Sequence, residues 1–255
     1  MERRRFLINS GALSLVFSPI SSMAQELTLV GGEEIILEPL FDKKRIYLTI
    51  DDCPNKNMTT ILENLKENKA TFYVVGMQTM TSNGFEAICK ALNQGHILGN
   101  HSYSHPSFSR ISLSRAKYEI EKADEVIEVA HQATGVPRTN KLFRFPYGDP
   151  GYYKSDTETY GTPEKKYELK EFLKGLGYQV QFWNTDTEDW KHYSPKYNYS
   201  LERIMRNCAK AKDEDIVLCH DKLITAKYIV PFYVNSREYQ LTLPSVNLTN
   251  EHSLI

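Results

Sequence analysis

Arg45-Ile46-Tyr47-Leu48-Thr49-Ile50-Asp51-Asp52 is the stretch that decides the fold class. Strand-forming residues run straight into two acids, so this reads as a β-strand that delivers charge at its C-terminal end. Met58, Ile61, Leu62 and Leu65 follow at i, i+3, i+4 and i+7, which is one face of a helix. Residues 70–75 read as the next strand, and strand–helix–strand predicts a parallel pair. The alternation continues with a helix over 85–92 and a short strand over 96–99. The clearest helix carries an apolar stripe of Ala116, Ile120, Ala123, Ile127 and Ala130, with Ser112 or Ser114 to cap its start and Gly135 its end. A strand over 142–145, a helix striped by Leu169, Phe172, Leu173 and Leu176, and a strand over 178–183 come next. A helix over 201–208 and a strand over 216–219 follow, and a last helical run from Ile224 carries Pro231, which should end or kink it.

These consecutive units predict an α/β fold, a single closed or nearly closed (β/α) barrel over residues 45–245, with an open doubly wound sheet as the alternative. Residues 25–44 read as a lead-in and 246–255 as a tail. Residues 1–24 read as an export signal: Arg3, Arg4 and Arg5, a weak apolar stretch, then Ser22-Met23-Ala24 at a cleavage position. Arg3-Arg4 followed by Phe6-Leu7 is similar to a twin-arginine signal, and a Sec signal with a basic start is the other reading. The expected location is the periplasm or the exterior. With 31 Lys+Arg against 32 Asp+Glu, the charge of −1 lacks the basic surplus of a nucleic-acid binder. No apolar run is long enough for an ordinary membrane span.

Four expected strands end in chemistry-bearing residues: Asp51-Asp52, then His101 and His105, then Arg144, then His220-Asp221. In a parallel barrel these ends converge on one face. One carboxylate and two imidazoles suit a divalent first-row ion, and His101 and His105 share a side if they lie on a helical turn. Neighbouring strand residues point to opposite faces, so one aspartate can ligate the ion while the other takes a proton from an attacking water. His220 is placed to protonate a leaving amine and needs an orienting anion, which Asp189 or Asp221 supplies. A buried Arg144 needs an acid, and Asp51 is the candidate.

Thr49-Ile50-Asp51-Asp52, His101-Ser102-x-x-His105, Arg144-x-Pro146-Tyr147-Gly148, Asp186-x-x-Asp189-Trp190 and Leu218-x-His220 stand in this order along the chain. They resemble the five ordered motifs of the NodB-homology polysaccharide deacetylases, carbohydrate esterase family 4. The resemblance runs from about Arg45 to about Leu243. It implies a distorted (β/α) barrel that removes N- or O-acetyl groups from a glycan. It also implies a metal held by Asp52, His101 and His105, usually zinc, with cobalt or nickel possible. On this resemblance Asp51 is the base, Arg144 holds the base, and Asp189 orients the acid His220. The Tyr147 N–H meets the oxyanion, and Trp190 and Leu218 wall the acetyl methyl. An esterase or small-amide hydrolase on the same scaffold, or an inactive glycan-binding envelope protein, are the competing readings.

Three features depart from the family pattern. Cys53 replaces the usual glycine after the aspartate pair; it either crowds the site, adds a soft ligand or fills space, and it is expected near Cys219. Phe145 replaces a more common proline. The loop over 149–166 is long, and its Tyr152, Tyr153 and Tyr160 offer faces on which sugar rings stack.

Overall fold

The computed structural model describes residues 42–244 and, before them, the backbone of two short strands. Those strands, β1 (Gln25–Thr28) and β2 (Glu34–Leu37), pair antiparallel in a unit of their own that ends at Asp42. The expected signal over 1–24 and the whole tail over 246–255 lie outside the described residues.

From Lys43 onward the chain builds a curled parallel sheet. In chain order its elements are β3 (Lys44–Cys53), α1 (Met58–Leu65), β4 (Thr71–Val74), α2 (Ser82–Asn93), β5 (Ile97–Asn100), α3 (Leu113–Thr134) and β6 (Leu142–Phe143). Then come a hairpin of β7 (Tyr152–Lys154) and β8 (Thr159–Gly161), α4 (Pro163–Gly175), β9 (Gln179–Val180) and β10 (Thr185–Asp186). The last elements are α5 (Leu201–Cys208), β11 (Ile216–His220), α6 (Val230–Val234) and β12 (Tyr239–Leu241). The sheet order is β10-β11-β3-β4-β5-β6-β9, with β12 alongside the start of β3.

β3 lies inside this sheet between β11 and β4, and its residues alternate between two buried faces. Ile46, Leu48 and Ile50 join the core beneath the helices, with Leu62 of α1, Ile88 of α2 and Ile127 of α3. Each such side chain contributes roughly 1.5–3 kcal/mol. Thr49 and Asp51 point to the inside of the curl. The helices start where side-chain oxygens take up free N–H groups: Ser112 accepts from Arg115, Thr162 from Lys165 and Ser200 from Arg203. Gly135 ends α3 at φ 70°, a conformation glycine adopts without strain.

The expected strand over 178–183 is two short strands instead. β9 pairs with β6 at one end of the sheet and β10 pairs with β11 at the other. One extended stretch, 179–186, therefore meets both ends of the curl. Between them the carbonyls of Gln181 and Phe182 accept from the Arg144 guanidinium, at 3.1 and 3.0 Å. A side chain thus takes the place of ladder partners for these two carbonyls, and the strand expected over 142–145 covers only Leu142–Phe143.

Two further expectations change. The long loop folds as the β7–β8 hairpin, and α4 already begins at Pro163. Its Tyr153 and Tyr160 stack on each other, and Arg110 covers Tyr160 at 3.8 Å, so that ring face is taken. Pro231 does not end the last helical run. The run passes without a break from a wide π turn over Thr225–Ile229 into α6, and Pro231 is the second residue of α6, so the proline sits beside a widening of the helix rather than at its end.

Candidate active site

The C-terminal ends of β3, β5, β6 and β11 bring Asp51, Asp52, His101, Arg144 and His220 to one end of the sheet. The two aspartates do not point apart. The β3–β4 register shifts between Ile50 and Cys53, and Asp52 has φ 61°. This bulge turns Asp52 back toward the side that Asp51 faces. Asp51 Oδ2 lies 3.5 Å and Asp52 Oδ1 3.8 Å from the same atom, His101 Nε2. Asp52 Oδ1 is also 3.2 Å from His105 Nε2.

His101 and His105 sit on an irregular loop rather than a helical turn. Ser102 and His105 have φ 68° and 59°, outside the helical region. Local bonds hold this path: Asn100 Oδ1 accepts the Ser102 N–H at 2.8 Å, and Ser102 Oγ accepts the His105 N–H at 3.1 Å. The result still places the two imidazoles together, with ring centroids 4.9 Å apart.

One oxygen of Asp52 and one nitrogen each of His101 and His105 lie within 4.8 Å of one another. His101 Nδ1–H donates to the Arg144 carbonyl at 2.7 Å, which leaves its Nε2 lone pair aimed at this cluster. Burial pushes the His101 pKa down and so favours the neutral imidazole a metal needs. Burial would raise the Asp52 carboxyl, but the hydrogen bond from His105 and the neighbouring imidazoles bring it well below the usual range. These donors, one carboxylate and two imidazoles, fit a divalent ion.

Arg144 fills the inside of the curl with 0% of its surface exposed. Besides the two carbonyls it donates at 2.8 Å to Thr49 Oγ1 and at 2.8 Å to Asp51 Oδ1, and it lies over the Tyr73 ring at 4.1 Å. Gly99 makes room for that ring: a Cβ there would stand 2.5 Å from Tyr73. Thr49 stands in the first motif but with no role assigned to it, and Tyr73 and Gln181, whose Oε1 accepts the Tyr73 hydroxyl at 2.8 Å, were not singled out in the sequence. Polar residues at alternate positions of otherwise apolar strands were the available signal.

His220 Nδ1–H donates to Asp189 Oδ1 at 2.7 Å, and its backbone N–H donates to Asp189 Oδ2 at 2.8 Å. Thr225 Oγ1 donates to the same Oδ2 at 2.8 Å. Asp189 is therefore the partner of His220, of the two candidates. Asp221 instead accepts the N–H groups of Asn55 and Asn57 ahead of α1, at 2.6 and 3.0 Å. Burial works against a charged His220, but Asp189, aided by Asp51 and Asp52, outweighs it and raises the pKa to about 9.

Tyr147 has φ 59° and an exposed ring edge-on to His105 at 4.6 Å. Trp190 is exposed beside Tyr197, and Leu218 is buried on β11, two residues before His220. Cys53 fills space: it is buried in the core beneath the helices, with its thiol toward the Ile50 carbonyl. Burial pushes the thiols of Cys53 and Cys219 up, and both cysteines are free.

Fold and site together define a class: a distorted parallel barrel with paired aspartates, two histidines and a buried arginine at its strand ends. The chain belongs to the polysaccharide deacetylase family, of NodB-homology type. The family model described as polysaccharide deacetylase matches residues 40–162. Peptidoglycan-N-acetylmuramic acid deacetylase PdaC of Bacillus subtilis is 33% identical over 183 residues, 71% of this chain and 33% of that protein. Peptidoglycan-N-acetylglucosamine deacetylase PgdA of Listeria monocytogenes is 30% identical over 70% of this chain and 32% of its own length. The chain thus spans about a third of the length of these curated relatives. The solved structure of PdaC from Bacillus subtilis superposes with a TM-score of 0.58 at 30% identity, covering 78% of this chain and 87% of that one.

Proposed function

We propose that this chain hydrolyses acetyl groups from the amino sugars of a cell-wall glycan, peptidoglycan being the first choice. The observation that carries the reading is the pairing of two opposed groups around the Asp52–His101–His105 cluster. Asp51 is held by Arg144, and His220 is held by Asp189. Two curated relatives named as peptidoglycan deacetylases, one for N-acetylmuramic acid and one for N-acetylglucosamine, support the substrate class.

Asp52, His101 and His105 would hold a divalent metal, zinc before cobalt or nickel. When bound, such an ion makes a water nucleophilic near neutral pH and polarises a carbonyl. Arg144 occupies Asp51 Oδ1, which leaves Oδ2 to take the proton of the attacking water. The backbone N–H of Tyr147 donates to the oxyanion as it forms. Asp189 fixes Nδ1–H of His220, so the protonated Nε2 delivers its proton to the departing amine nitrogen. Trp190 and Leu218 enclose the acetyl methyl. The export signal read over residues 1–24 puts this work outside the cytoplasm, and no helix among the described residues is long and apolar enough to cross a membrane.

The test is acetate release from N-acetylglucosamine oligomers and purified peptidoglycan, its loss with a chelator and its return with zinc. Turnover confined to O-acetylated xylan or small amides moves the substrate assignment. Glycan binding without turnover under any divalent metal overturns the reading.

A further inference from the structure

Glu119 of α3 is a carboxylate with 0% side-chain exposure that takes no part in the proposed chemistry. Burying a carboxylate is costly unless donors surround it. Three do. Ser104 N–H donates to Glu119 Oε2 at 2.6 Å, Ser104 Oγ to Oε1 at 2.7 Å, and Arg115 to Oε1 at 2.6 Å. Two of the three come from the residue immediately before His105.

A second carboxylate grips the loop on the other side. Asp149 Oδ2 accepts from Ser107 Oγ at 2.5 Å, Ser109 N–H at 2.8 Å and Ser109 Oγ at 2.7 Å. Its Oδ1 accepts the Gly151 N–H at 3.0 Å and so also anchors the hairpin. His105 stands between these clamps at φ 59°, a conformation that costs a non-glycine residue free energy and persists only when its surroundings over-determine it.

We propose that Glu119 and Asp149 are positioning residues for the metal site: neither touches a ligand atom, and together they fix where the His105 imidazole stands. This rests on the reading of Asp52, His101 and His105 as metal ligands. Replacing either carboxylate by its amide puts N–H donors where only acceptors fit, which releases the loop while preserving size.

The experiment is zinc affinity of the metal-free protein, by competition with a chromophoric chelator, for wild type, Glu119→Gln, Asp149→Asn and Asp215→Asn. Asp215 stands just ahead of β11, at the opposite end of that strand from His220, and accepts from Thr185 Oγ1 at 2.7 Å and the Lys212 N–H at 2.9 Å. It controls for simple loss of stability, which circular dichroism and unfolding midpoints record. The expected result is zinc binding weakened roughly tenfold or more in Glu119→Gln and Asp149→Asn. The cobalt-loaded absorption spectrum changes in these two, and Asp215→Asn keeps both affinity and spectrum. Folded Glu119→Gln and Asp149→Asn proteins that both bind zinc as wild type does overturn the inference alone. A wild-type protein that takes up no zinc overturns the metal site and, with it, this inference.

Discussion

Asp51 and Asp52 are chain neighbours on a β-strand, yet their carboxylates reach the same His101 Nε2 at 3.5 and 3.8 Å. Their second partners differ: Asp51 goes to Arg144 and Asp52 to His105. Substitution should therefore separate them. Asp52→Asn is expected to lose zinc and activity together. Asp51→Asn is expected to keep zinc while acetate release falls by roughly 10²–10⁴-fold, the range for loss of a general base. Metal analysis beside an acetate assay checks both. Full activity in Asp51→Asn removes the base assignment.

The pH dependence follows from His220. Its pKa is raised to about 9 in the metal-free protein, against 6.5 ordinarily, despite burial. A raised value means that the His220–Asp189 interaction supports the fold fully below pH 6.5 and is lost as pH rises through about 9. As an acid, His220 is likewise spent on the alkaline side. Asp189→Asn removes the main group holding the proton, so the His220 titration and the alkaline limb of the rate profile should both move to lower pH. NMR titration of the imidazole signals checks this, and an unmoved midpoint contradicts it.

Arg144 should be irreplaceable by lysine. Its guanidinium serves Thr49, Asp51, Gln181 and Phe182 at once from a fully buried position. A lysine ammonium offers three donors from a single point and no planar fork. Arg144→Met leaves Asp51 as a buried charge without its partner and should cost about 3–5 kcal/mol. Arg144→Lys should fall between it and wild type. Denaturant unfolding measures both, with a wild-type midpoint in Arg144→Met as the contrary result.

His96 should make the protein acid-sensitive. It is buried against Phe72, its Nδ1 accepts the Ala70 N–H at 3.1 Å, and burial lowers its pKa to about 4. A lowered value means the unfolded chain takes up a proton first, so stability is lost as pH falls from 6.5 toward 4. By pH 5 the loss is about 2 kcal/mol. In His96→Asn the fall in unfolding free energy between pH 7 and pH 5 should shrink by about that amount. An equal fall in both proteins argues against it.

The sequence was most legible where one residue type performs one task. Apolar spacing located α1, and its four expected core residues Met58, Ile61, Leu62 and Leu65 are all buried. Strand ends located the acids, histidines and arginine. Glu119 escaped because its burial is satisfied by Ser104, which adjoins the histidine motif, and by Arg115 on its own helix. The signal was there: it sits beside Ile120 on the face that buries Ala116 and Ala123.

What the sequence determined by itself was periodicity and chemical type: a parallel α/β sheet, and which side chains gather at its C-terminal edge. Those follow from local sterics and from the side-chain alternation of a strand. Tertiary structure decided three further things: that a bulge turns both aspartates to one side, that Asp221 is taken up by the N–H groups of Asn55 and Asn57, and that Arg144 replaces ladder partners along 179–186. Each depends on groups far apart in the chain competing for the same buried donors and acceptors. That competition is settled only when the interior closes and every polar group must find a partner or bear the cost of burial.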